Sequence, residues 1–143
     1  MITTKNPKLV AAYQNAIRAW NQTGCFNFQL TNNPNAPIKL NEKDLSSSAQ
    51  DNGSYRSQEL GITYNKFYAK SHGLVGADVN LDNSQELLSR PVNYITIVAE
   101  HELGHAIGLK HQPENAKSVM VPINAKYPIQ PMDIQNVKQL YNH

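Results

Sequence analysis

The chain has 143 residues and a formal net charge of +2, with 40% hydrophobic and 17% charged residues, a composition typical of one globular domain. Its lysines and arginines form no basic stripe, and its longest apolar stretch, Ile95 to Ala99, is too short to span a bilayer. We therefore expect a single domain over residues 1–143 that acts as a monomer, with neither nucleic acid nor a membrane span.

The amino-terminal half predicts one helix and two strands. Asn6 and Pro7 suit a cap and a first helical turn, and apolar residues then recur at helical spacing until Gly24. Alternation over Cys25 to Leu30 predicts a strand, and Ile38 to Leu40 predicts a second. Ser46 to Ser57 is polar, which indicates a surface loop. Cys25 is the single cysteine, and its aromatic neighbours favour a buried structural thiol over a nucleophile.

The carboxyl-terminal half predicts two more strands and two helices. Gly61 to Tyr68 and the alternating run Val75 to Asp82 indicate strands, and a helix from about Asn93 ends at Gly108. Glu100, on this helix, is expected to be a solvated charge. After an apolar turn at Ser118 to Pro122 comes a closing helix, Pro131 to Tyr141, whose inner side we expect to carry Ile134, Val137, Leu140 and Tyr141. This order of elements argues for a small α/β or α+β layer with a largely parallel sheet.

Three histidines stand at the spacing of a catalytic metal site. On a helix, His101 and His105 lie about 40° apart around the axis and about 6 Å along it, so both imidazoles can reach one ion. Glu102 lies about 100° round from His101, which suits a base better than a ligand. A continuing helix would carry His111 about 9 Å beyond His105, so the helix has to end. Gly108 can end it, because glycine readily takes the left-handed conformation.

Three nitrogen ligands leave the fourth tetrahedral position for water, as in catalytic rather than structural zinc sites. The alternative is that these histidines merely cap or pack. The spacing of two histidines, one glutamate, a glycine and a third histidine favours the metal site.

The segment from His101 to His111, followed nine residues later by Met120 within Ser118 to Pro122, resembles the metzincin zinc peptidases and their methionine turn. The similarity is closest to the matrixin branch and covers nearly the whole chain. It implies an α+β metzincin fold, with a twisted, mixed, mostly parallel sheet, an antiparallel edge strand, two long helices and a carboxyl-terminal helix.

The resemblance implies a zinc endopeptidase acting on proteins or peptides, and we expect the enzyme to be secreted. Zinc on His101, His105 and His111 would polarise water and the substrate carbonyl, and Glu102 would move the proton. Met120 would lie beneath the metal, although it could be plain core filler. A zinc-containing peptide-binding module without useful turnover is the alternative function. The amino terminus lacks the apolar core of a secretion signal, so the alternatives are a trimmed exported enzyme, which we expect, and a cytoplasmic processing factor.

The resemblance also implies where substrate binds. Backbone pairing would use the strand edge from Gly61 to Tyr68, including Ile62, Thr63, Tyr64 and Asn65. Ile97 would line an apolar pocket past the scissile bond, with Pro122 to Lys126, including Ile123 and Asn124, as its outer wall. The alternative is that Ile97 is ordinary helix core.

Two accessory metal sites of matrixins are altered here. The histidines that hold a structural zinc in relatives correspond to Asn65 and Asn80, so that site is expected to be absent. Asp82 matches a calcium-binding aspartate, but Gln85 replaces its acidic partner. Calcium is therefore only weakly indicated, and we expect one catalytic zinc as the main cofactor.

Overall fold

A three-stranded mixed sheet and three main helices form the part of the chain that the structure, a computed structural model, describes: residues 1–46, 60–67, 74–122 and 127–141. The elements in chain order are α1 (Pro7–Gln22), β1 (Ile38–Lys43), β2 (Gly61–Phe67), β3 (Leu74–Asp82), α2 (Gln85–Leu88), α3 (Val92–Ile107) and α4 (Pro131–Tyr141). In the sheet, β3 lies between β1, which is parallel to it, and β2, which is antiparallel. This confirms the α+β class with an antiparallel edge strand. None of the described helices is both long and apolar enough to cross a membrane.

Helix α1 begins and buries its apolar face as its sequence predicts. The Asn6 side chain accepts hydrogen bonds from the backbone N–H groups of Lys8 and Leu9, which satisfies two of the donors that a helix start leaves free. Its buried residues are Leu9, Ala12, Tyr13, Ala16, Ile17 and Trp20. The Trp20 indole N–H donates to the backbone oxygen of Glu100 in α3, at 3.0 Å. The two long helices are therefore joined by a buried hydrogen bond as well as by apolar packing.

The sheet places its edge strand beside α3. Ala77, Val79 and Leu81 of β3 are fully buried, and they pair with Asn65, Thr63 and Gly61 of β2. Because paired residues point to the same face of a sheet, Gly61, Thr63 and Asn65 lie on the face that packs against the helices. This arrangement brings side chains of β2 to the helix that carries the histidines.

The predicted strand from Cys25 to Leu30 is wrong. The segment forms no ladder with the described strands, and the Asn21 side chain occupies both backbone groups of Phe28. Asn21 Oδ1 accepts from Phe28 N–H at 2.6 Å, and its Nδ2 donates to Phe28 O at 3.0 Å. The alternating aromatics are used for packing, with the Phe26 and Phe28 rings 4.8 Å apart. Cys25 is half-buried, with its sulfur 2.9 Å from the Thr23 hydroxyl.

The closing helix has the predicted bounds but a different inner face. Asp133 and Val137 are buried, whereas Leu140 and Tyr141 are 42% and 52% exposed and Ile134 is half-buried. The buried Asp133 carboxylate accepts hydrogen bonds from backbone groups outside its own helix, and apolar spacing cannot predict that a charged residue is buried for this purpose. The short helix α2 was not predicted. The predicted loop from Ser46 to Ser57 lies, beyond Ser46, outside the described residues.

The prediction that Glu100 is a solvated charge is also wrong. Its side chain lies in the interior, and the residue is only 5% exposed. One carboxylate oxygen accepts from the backbone N–H of Ile129 at 3.1 Å. Burial raises the pKa of this carboxyl group, and the neighbouring carboxylate of Asp133 raises it further. Glu100 therefore ties α3 to the segment that leads into α4.

Asp82 lies at the end of β3 and is fully buried. Its Oδ1 accepts from the backbone N–H groups of Leu45 and Ser84, and its Oδ2 accepts from the Ser84 hydroxyl. The carboxylate that resembles a calcium ligand thus stabilises the turn after β3. Asn80, which with Asn65 corresponds to the structural-zinc histidines of matrixins, is 8% exposed.

Candidate active site

Three histidine rings converge at the carboxyl-terminal half of α3. His101 and His105 come from the helix and His111 from the segment after it, and one nitrogen of each lies within 4.8 Å of the others. The ring centroids are 4.7 to 5.2 Å apart. His101 and His105 are partly buried, whereas His111 is exposed. The structure thus brings the three predicted ligands to one point with an open side.

The end of α3 makes this convergence possible. Gly108 follows the last helical residue with φ of 123°, a conformation that side chains rarely adopt. Its N–H and that of Leu109 donate to the helix carbonyls of His105 and Gly104. The chain then leaves the helix axis, so that His111 lies beside the other two rings instead of beyond them.

Backbone carbonyls orient the two helical histidines. Nδ1 of His101 lies 2.7 Å from Val119 O, and Nδ1 of His105 lies 2.9 Å from Leu109 O. A carbonyl oxygen can only accept a hydrogen bond, so both Nδ1 atoms carry the proton and both Nε2 atoms keep a free lone pair. This is the outer hydrogen bonding that metal-binding histidines commonly show.

Burial also keeps these two rings neutral. Desolvation, together with the other two imidazoles, lowers the pKa of His101 to about 4, against the opposing effect of its bond to Val119 O. Burial likewise lowers the pKa of His105. Neutral imidazole is the form that binds a metal, so both rings are ready to do so at neutral pH.

The methionine turn packs directly against the histidine motif. Met120 is 1% exposed, and a Cβ added to Gly104 would lie 2.5 Å from its sulfur. Gly104 is therefore the position in α3 that lets the turn approach. Sequence reasoning did not assign it a role, although a glycine in a helix interior costs about 1 kcal/mol and usually has a packing reason.

One buried carboxylate holds the turn in place. Asp133 Oδ2 accepts from the backbone N–H groups of Val119, at 2.8 Å, and Gln130, at 2.9 Å, and its Oδ1 accepts from the Ser118 hydroxyl. Val119 O is in turn the partner of His101. Asp133 thus acts on His101 through the backbone of a single residue, Val119. The sequence offers only a weak signal for it, an aspartate in the first turn of α4.

Glu102 lies between the histidines and the edge strand. Its side chain is 8% exposed, and Oε2 is 3.9 Å from His101 Nε2. The other oxygen, Oε1, accepts from the Thr63 hydroxyl at 2.8 Å. A Cβ added to Gly61 would lie 2.7 Å from Glu102 Cγ. The carboxylate therefore faces the histidine cluster, as the spacing predicted, from a narrow space beside β2.

The four predicted substrate-binding residues of β2 divide between its two faces. Thr63 and Asn65 point toward α3, and the Asn65 amide donates to His105 O at 3.0 Å. Its Oδ1 is buried and has no hydrogen-bond partner within the described part of the chain. Ile62 and Tyr64 alternate to the opposite face, where Tyr64 is 49% exposed.

Of the other predicted substrate-binding residues, the structure describes Ile97 and Pro122. Ile97 is half-buried and lines a groove between α1 and α3, together with Thr96 and Glu100. Pro122 is exposed at the end of the methionine turn. Ile123 and Asn124 lie outside the described residues.

The comparison with protein families agrees with this geometry. The sequence model of one family, described as Matrixin, matches residues 2–142, a range that includes the three histidines, Glu102 and Met120. No curated protein matches the chain.

Proposed function

We propose, for a chain that belongs to the matrixin family, that it is a zinc-dependent endopeptidase with Glu102 as its general base. The observation that carries the proposal is the position of Glu102 beside three convergent histidines, two of which present unprotonated Nε2 atoms. Neutral imidazole nitrogens suit zinc. Three of them on one side of an ion leave room for water and substrate.

The residues His101, His105 and His111 would hold the ion, which when bound supplies Lewis acidity to a water molecule and to the substrate carbonyl. Glu102 accepts the proton of the attacking water at Oε2 and delivers it to the leaving amine, so the carboxylate ends the cycle ionised. The nearly complete burial of Glu102 limits competition from bulk water. The open side beside the exposed His111 is where substrate reaches the histidine cluster.

Substrate binding would use the edge strand β2 and an apolar pocket. Strand β2 pairs on only one side among the described strands, so a peptide in extended conformation can add to its other edge. Ile97 supports the proposed preference for an apolar side chain after the scissile bond, since it is half-buried one turn before His101. Profiling of cleavage sites would contradict this pocket if charged residues dominated that position.

The decisive experiment compares zinc content and proteolysis in the parent protein and Glu102→Gln. The amide keeps the size of the carboxylate but cannot accept the water's proton, so we expect full zinc content and a fall in casein hydrolysis of about 10²- to 10⁴-fold. Glu86→Gln, at an exposed position of α2, is the matched control and should hydrolyse casein as the parent does. A chelator should abolish the parent activity, and added zinc should restore it.

Two results would contradict the proposal. Hydrolysis by Glu102→Gln at the parental rate would exclude Glu102 as the base. A parent protein that binds zinc and peptide but cleaves neither casein nor a peptide library would instead indicate the peptide-binding module.

A further inference from the structure

Two residues of the edge strand form a slot around the Glu102 side chain. The Thr63 hydroxyl donates to Oε1 at 2.8 Å, and Gly61 leaves open the space where a Cβ would lie 2.7 Å from Cγ and 2.9 Å from Oε2. Gly61 and Thr63 are two positions apart, so both face α3. Below, the Glu102 slot means Gly61 and Thr63 of β2.

The slot is built on a rigid part of the fold. Gly61 pairs with Leu81 and Thr63 with Val79 in the antiparallel ladder, and both partners are fully buried. A hydroxyl on such a strand is held more precisely than one on a loop. The position of the carboxylate is therefore set by the sheet as well as by the helix that carries it.

We infer that Thr63 is a positioning residue for Glu102, an inference that rests on the proposed peptidase function. Thr63 binds Oε1, and the other oxygen, Oε2, lies 3.9 Å from His101 Nε2 and faces the histidine cluster. Of the two carboxylate oxygens, Oε2 is then the one that takes the proton from water and returns it to the leaving amine. Gly61 allows this orientation because it places no side-chain atom in the way.

The Thr63 hydroxyl also has a second acceptor, the backbone oxygen of Glu102 at 3.1 Å. A hydroxyl carries one proton and can rotate between two acceptors. Because both acceptors belong to Glu102, the hydroxyl holds the side chain of this residue in a fixed position relative to its own backbone.

The competing explanation is a purely structural hydrogen bond that joins β2 to α3. It predicts that loss of the hydroxyl lowers stability and leaves turnover per folded molecule unchanged. A positioning role instead predicts a lower kcat at an unchanged KM, because the misoriented base acts after substrate has bound.

The test uses three variants of the zinc-loaded protein. Thr63→Val removes the hydroxyl at nearly constant shape, and we expect kcat to fall about 10- to 100-fold, as for loss of a hydrogen bond to a charged group, with KM and zinc content unchanged. Thr63→Ser retains the hydroxyl and should keep kcat within about threefold of the parent. Thr3→Val is the matched control, because it removes a threonine hydroxyl from a strand carbonyl, Leu40 O, away from the site.

A second measurement reads the position of Glu102 without relying on activity. In crystal structures of the zinc-loaded proteins, Glu102 should keep one side-chain orientation in the parent and in Thr63→Ser, and lose it in Thr63→Val. An unchanged orientation in Thr63→Val would overturn the inference, as would an unchanged kcat or a change confined to KM. If the parent cleaves no substrate, the proposed function fails, and the loss of orientation in Thr63→Val would still support the positioning role.

Discussion

Replacement of Asp133 by alanine should uncouple the methionine turn from α4. The change leaves the buried N–H of Val119 and the partly buried N–H of Gln130 without their acceptor, and it frees the Ser118 hydroxyl. An unsatisfied buried donor costs about 1 to 3 kcal/mol. Because Ser118 can turn and water can reach Gln130, we expect a total loss of about 3 kcal/mol, mostly from Val119.

This loss is large for a domain of this size, because natural domains are stable by only about 5–15 kcal/mol. At about 2–4 °C per kcal/mol, it corresponds to a fall in Tm of about 6–12 °C. Urea unfolding of the zinc-free protein measures it directly. Asp133→Asn retains one acceptor oxygen for the two amides and should lose less. Asp78→Ala is the matched control, because Asp78 is a partly exposed carboxylate paired with Lys66 and should cost less than about 1 kcal/mol.

The same variant tests the link to the metal. Without the hydrogen bond that the Val119 N–H donates to Asp133, Val119 O is no longer fixed beside Nδ1 of His101. The loss of such an outer partner typically weakens metal binding about 10- to 100-fold. Competition with a fluorescent zinc chelator measures this affinity. The reasoning is refuted if Asp133→Ala unfolds at the same urea concentration as Asp78→Ala. If stability falls while zinc affinity stays at the parental value, the path through Val119 is refuted.

Two further predictions concern packing and pH. In Gly104→Ala the new Cβ would lie 2.5 Å from the Met120 sulfur, so urea unfolding should show lower stability despite a helix propensity gain of about 1 kcal/mol; a more stable variant would contradict the close packing. Burial, and then the charge of Glu102, raises the pKa of Tyr13 well above its usual value. The folded state therefore keeps the phenol proton up to a higher pH than the unfolded state does. The free energy of unfolding should therefore fall as pH rises above about 10. It should fall less in Tyr13→Phe than in the exposed control Tyr64→Phe, and equal slopes of this free energy against pH in the two variants would contradict the burial of the phenol.

Local signals in the sequence account for most of the elements. These signals each act within a few residues: the cap at Asn6, the apolar spacing to Trp20 and the glycine at position 108. The bounds of α1 and the end of α3 could therefore be predicted closely. Alternation identified β3 for the same reason. The ligand spacing at His101, His105 and His111 required only helix geometry and a stop, and the structure brings these rings together.

The errors arose where a contact between a side chain and a backbone group competes with a local pattern. Alternation at Cys25 to Leu30 is typical of a strand, but the Asn21 side chain binds the backbone groups that a ladder needs. Glu100 has the charge of a surface residue, but it is buried by neighbouring elements and accepts a hydrogen bond from the backbone N–H of Ile129. The apolar pattern of a segment does not record such contacts, whether the partners are 7 residues apart, as in the first case, or 29, as in the second.

The sequence by itself determined the chemistry of this protein: three imidazoles, a carboxylate beside them and a glycine that ends the helix are all set by spacing along one segment. The tertiary structure decided how that chemistry is held. Asp133 fixes the methionine turn from a position 14 residues after Val119, and Thr63 fixes Glu102 from a position 39 residues before it, beside the space that Gly61 leaves open. Spacing can place ligands on one helix because helical geometry is regular, whereas contacts between elements depend on packing that only the folded chain defines.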